Sequence, residues 1–174
     1  MVMNRVGTII LSGFAVIWLV FAKINGAPIP WILIPLAAGV SALLVWKFLL
    51  QKPAQSLFPL SEQKRIGRVF MWSSIGEGIG IFVVINILAN IGMADRYMAG
   101  IALIVGLHFI AIAWGVPMRI AFVLAAILLA LSAAGFLITS PSHAALIVGF
   151  GGAATLWFAV VASIVKLQRQ DAAV

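Results

Sequence analysis

Apolar runs of roughly 17 to 26 residues follow one another along almost the whole chain, broken only by short stretches of proline, glycine and charge. Hydrocarbon offers no water to satisfy a backbone N–H or C=O, so a run of that length must become a helix whose hydrogen bonds close within itself. Six such runs are expected to span a bilayer, at residues 6–22, 31–50, 66–91, 97–116, 120–139 and 144–165. The expected fold is an all-α integral membrane protein, one transmembrane domain over residues 1–174, packed as a bundle of three helical hairpins.

Composition removes the soluble alternative. Hydrophobic residues make up 64% of the chain and charged residues 9%, where a soluble domain carries roughly 25% charge. A chain of 174 residues cannot enclose that much apolar surface in its own core, which leaves lipid as its solvent. The net charge of +7 does not indicate nucleic acid, because the basic residues lie at the ends of the apolar runs rather than along one face. The N-terminal basic and apolar stretch lacks a convincing small-residue cleavage site and is expected to be a retained first helix.

The breaks between the runs carry turn chemistry. They fall at residues 25–30, 51–61, 92–96, 117–119 and 140–143, and proline or glycine stands in each. Ser61 is the expected N-cap of the third helix, with Glu62 beside it at the positive end of the helix dipole. Lysine and arginine then orient the bundle, since cytoplasmic loops are enriched in both. With the N-terminus inside, nine of the eleven basic residues are internal: Arg5, Lys47, Lys52, Lys64, Arg65, Arg68, Arg119, Lys166 and Arg169. Only Lys23 and Arg96 fall outside. The expected location is a plasma or inner membrane, multi-pass, with both termini cytoplasmic. Trp18 and Trp31 are expected near the outer interface, Trp46, Trp72 and Trp114 near the inner one, and Trp157 against a neighbouring helix.

One acid departs from this pattern. Glu77 is the only carboxylate inside an apolar run, and an ionisable group at that depth is by default a functional candidate. The short turn at 92–96 makes the third and fourth helices antiparallel neighbours. Counted from residue 93, Glu77 lies sixteen residues back and His108 fifteen residues on, so their depths differ by about 1 to 2 Å. Two facing groups of this kind relieve each other's cost and titrate together. Histidine titrates near neutral pH, which suits a proton- or cation-binding pair. Ser73 lies one turn before Glu77 on the same face. Asn86 and Asn90 are four apart, but nine residues separate Glu77 from Asn86, half a revolution round the helix, so they form a separate polar stripe.

Small residues mark close approach. Gly76 and Gly80 form a G-x-x-x-G spacing around Glu77, and Gly149, Gly151 and Gly152 give the sixth helix a second small face, suited to the third helix or a second protomer. Other chemistry is excluded by what is missing. The chain holds no cysteine and two histidines, of which only His108 is in a span, so thiolate chemistry and bis-histidine haem have no ligands. No H-E-x-x-H or G-x-S-x-G motif occurs. No catalytic residue, metal ligand or cofactor is assigned.

The sequence supports a small membrane transporter or transport subunit, with Glu77 and His108 as its proton or cation site and Ser73, Asn86 and Asn90 as further polar contacts. The alternative is an interaction or assembly protein whose glycine faces recruit another membrane subunit or a second copy. A third reading, an intramembrane enzyme acting on a lipid, lacks an acid–base pair in the only long loop, residues 51–61.

Overall fold

The structure, a computed structural model, describes residues 5–50, 59–116 and 119–171. The expected anchor Lys52, the linker residues around it at 51–58, and Pro117 and Met118 lie outside the described residues, as do the side chains of Arg5 and Arg169. Among the described residues there are six α-helices and no strand: α1 Arg5–Ile24, α2 Leu33–Leu49, α3 Leu60–Asn90, α4 Tyr97–Gly115, α5 Arg119–Leu137 and α6 Pro141–Asp171. Five of them are long and apolar enough to cross a membrane, and α2, at 17 residues, is shorter. The chain is therefore built as a multi-pass membrane protein.

Local chemistry explains where the helices stop. Gly26 and Gly92 have φ of +84° and +74°, a conformation that only glycine adopts freely. Each ends a helix by the same device. Gly26 N–H donates to Lys23 O and Ala27 N–H to Ala22 O, while Gly92 N–H donates to Ala89 O and Met93 N–H to Leu88 O. These are the two reverse bonds that satisfy the last carbonyls of a helix. Elsewhere arginines do that work across helices. Arg65 of α3 donates to Gly115 O at the end of α4, at 3.0 Å. Arg96 donates to Gly135 O at 3.0 Å and to Ile138 O at the end of α5.

Three boundaries differ from the sequence expectation, each for a local reason. The N-cap of α3 is Pro59, not Ser61: its carbonyl accepts from Glu62 and Gln63 N–H, both at 3.0 Å, and its ring sets φ at −56°. Trp31 and Ile32 form a turn ahead of α2, closed by Leu33 N–H to Pro30 O at 3.0 Å, so α2 is shorter than the apolar run. The stretch at 140–143 is no separate turn. Pro141 is the first residue of α6, where its missing N–H costs nothing, and Ser140 O accepts from Ala144 N–H at 2.9 Å.

The central layer is α1, α4, α5 and α6. The most extensive contacts are α4 with α5 and α1 with α6, so the chain's two ends close on each other. The expected hairpin neighbours α1 and α2, α3 and α4, and α5 and α6 also touch. α2 flanks α1 and α6 at one edge, and α3 leans on α4 at the other. Lipid gives helices no hydrophobic reason to associate, so close packing and interhelical hydrogen bonds hold them. At the α1–α6 seam Gly149 lies against Ala22, and a Cβ added to Gly152 would stand 2.7 Å from the Trp18 ring. Gly149 and Gly152 therefore meet α1 rather than α3, with Gly152 leaving the room the Trp18 ring occupies, while Gly151 packs on Leu131 of α5. Trp18 is accordingly buried in the bundle rather than in an interfacial belt, whereas Trp31, Trp46, Trp72 and Trp114 are exposed to the surroundings.

Candidate functional site

Glu77 and His108 face each other. The Oε2 of Glu77 lies 3.6 Å from Nδ1 of His108, and both side chains are largely enclosed, with 17% and 9% of their surface exposed. The placement follows from the glycine-ended turn at Gly92, which folds α3 back along α4 and brings two positions of equal depth to one seam. Ser73 joins them from one turn earlier on α3. Its hydroxyl is 2.9 Å from His108 Nδ1 and 3.3 Å from His108 O.

The Ser73–His108 contact fits either ring tautomer, and one arrangement uses both of the hydroxyl's contacts. With the proton on Nδ1, the ring N–H donates to Ser73 Oγ, and the Ser73 hydroxyl donates a hydrogen bond to the His108 carbonyl oxygen. Nε2, which has no protein partner among the described residues, is then the acceptor for an incoming proton. Taking one up creates an imidazolium beside the Glu77 carboxylate. The seam can thus hold a proton in two places, on the acid or on the ring, and each placement leaves a different charge distribution.

The trio stands in the wall of a groove of about 720 Å3 between α3 and α4, within the ~300–1,000 Å3 range of small-molecule sites. Val69, Trp72, Ile104 and Leu107 give it apolar walls, and Arg65 and Arg68 stand at one end. Its open side faces the surroundings, because no helix beyond α4 packs extensively on α3.

Other expected residues take different positions. Asn86 is exposed and donates to Phe82 O of its own helix at 2.7 Å, and Asn90 is exposed near the end of α3. Neither lines the groove, as their half-turn offset from Glu77 requires. Gly80 packs closely, since a Cβ there would stand 2.8 Å from Ile104 Cγ2. Gly76 does not: a Cβ on it would meet nothing within 4 Å, and it opens onto the groove instead of a neighbouring backbone. His143 donates to or accepts from Ser140 at 2.8 Å in the first turn of α6, away from the site.

A second polar cluster was not assigned from the sequence. Trp157 Nε1 donates to Ser41 Oγ at 2.9 Å, and Ser41 Oγ donates to Ser12 O at 2.9 Å, linking α6, α2 and α1. The small-residue spacing in α1 and α2 gave no distinctive signal for it, because serine is common on any helix–helix seam. Among the described residues no group of three His, Cys, Asp or Glu side chains comes together to hold a metal ion.

No protein-family model, curated protein or solved structure matches the chain significantly. The functional reading therefore rests on the residues and their geometry.

Proposed function

We propose that the chain is a small membrane transporter or transport subunit in which Glu77 and His108 bind a proton or a cation. One observation carries this reading. An acid and an imidazole meet at 3.6 Å inside a membrane-spanning helix pair, and they do so in the wall of a groove rather than in a closed core. A pair that served only to lock two helices would be favoured in a dry, filled seam. Ser73 acts by positioning the ring. In this reading α2 completes six spans, with both termini on the cytoplasmic side of a plasma or inner membrane.

The test is a pH jump applied to proteoliposomes on a solid-supported membrane, which reads charge displaced when protons bind. The wild-type protein is expected to give a transient current, and Glu77→Gln to abolish it while retaining helix content and elution volume. A current of equal size in that variant removes the proposal.

The alternative, an assembly protein, is favoured by one feature: among the described residues α3 leans mainly on α4 and presents most of its length outward. It predicts co-purification of another membrane chain, lost when Ile79→Asn alters the exposed flank of α3.

A further inference from the structure

The basic end of α3 holds charges that no described residue balances. Of its three cations, Arg65 is occupied, by Glu62 at 3.4 Å and Gly115 O at 3.0 Å. Lys64 and Arg68 are four residues apart, on one face, and like charges at that spacing repel. Among the described residues neither has an acid or a carbonyl as partner. Together with Gly67 and Met71 they line a second concavity, of about 420 Å3. Arg68 belongs to both hollows: it also ends the apolar groove that runs past Trp72 to Gly80.

The two hollows have complementary chemistry. One presents two cations at the boundary of the apolar segment. The other is walled by Trp72, Ile104 and Leu107 and open along its side. From Arg65 to Gly80 the groove follows α3 for about 22 Å, a length suited to an acyl chain. Gly76 adds no side chain to its floor, which keeps it continuous.

We propose that this end of the α3–α4 hairpin is a binding site for an anionic phospholipid, with its phosphate between Lys64 and Arg68 and one acyl chain lying in the groove. The anion offsets the repulsion of the two cations. The acyl chain fills the open side beside Glu77 and His108. The site does not depend on whether the pair carries a proton in transport, since its contacts are Lys64, Arg68 and the apolar walls.

Native mass spectrometry of the detergent-solubilised full chain, offered phosphatidylglycerol and phosphatidylcholine of identical acyl chains, tests this. The wild-type protein is expected to retain phosphatidylglycerol preferentially. Lys64→Gln and Arg68→Gln should each weaken that retention about fivefold, the scale of one basic residue at an anionic lipid surface. Gly76→Leu, whose new side chain has open space around its Cβ, should fold normally and lose the retention of both lipids. Lys166→Gln, at the far end of α6, should change nothing. Equal retention of the two lipids by the wild type overturns the site, as does unchanged phosphatidylglycerol retention in Arg68→Gln and Gly76→Leu. A lipid-free dimer, which would mean that a second copy fills the groove, or a matching loss in Lys166→Gln overturns it as well.

Discussion

The α1–α6 seam and the α3–α4 seam use polar and small residues to opposite ends. At the first, Ser12, Ser41 and Trp157 form a neutral chain of hydrogen bonds, and the spaces beside Gly152 and Gly149 of α6 are filled by Trp18 and Ala22. At the second, the polar groups are ionisable, and Gly76 faces empty space. The helices differ in the same sense: 56% of the α4 span is buried, against 6% of α3. A buried polar group in lipid therefore does not by itself signal activity. The distinction lies in whether the group can change charge and whether space has been left beside it.

Five substitutions sharpen or break this contrast. The largest effect is expected from Gly152→Leu, which drives a side chain into the Trp18 ring. It should destabilise the protein by about 3 kcal/mol or more in denaturant unfolding from micelles, while Gly76→Leu stays within about 0.5 kcal/mol of wild type. Equal losses would mean that the two seams are packed alike. Ser41→Ala removes one interhelical donor and the acceptor of Trp157, for a loss of about 1 to 2 kcal/mol in the same measurement. It should leave the pH-jump current intact, and a lost current would connect the two seams functionally.

Ser73→Ala should alter stability little but free Nδ1 of His108. In a His143→Asn background, so that one histidine reports, nitrogen chemical shifts should change from a single tautomer to a mixture. An unchanged tautomer would show that Ser73 does not position the ring. The smallest effect is expected for Asn86→Ala, within about 0.5 kcal/mol and without change in the current, because its amide bonds only its own helix. A large effect there would move the functional surface to the outward stripe of α3.

Much of this was legible in the sequence because it depends on local quantities. Run length and the absence of water in lipid dictate helices, and Gly26 and Gly92 dictate where two of them end. Depth is local too: counting residues from the 92–96 turn brings Glu77 and His108 to one level. Besides the helix boundaries, two expectations failed at the level of side-chain packing. Trp18 was placed in an interfacial belt because its position near a helix end is shared by belt and core residues, and only the glycine face of α6 distinguishes them. Gly76 and Gly80 were paired as one packing motif because spacing puts them on one face, yet Ile104 stands opposite Gly80 and nothing stands opposite Gly76.

Sequence alone determined the helical class, the approximate spans, the depth of the acid and the imidazole, and the cationic end of α3, since each follows from residue type and a fixed rise per residue. Tertiary structure alone decided which way each helix is rotated about its axis. That rotation is set by the partners a helix packs against, and it turned Glu77, Ser73 and His108 toward one seam, sent Asn86 away from it, and left a groove where a further helix would otherwise have closed the site.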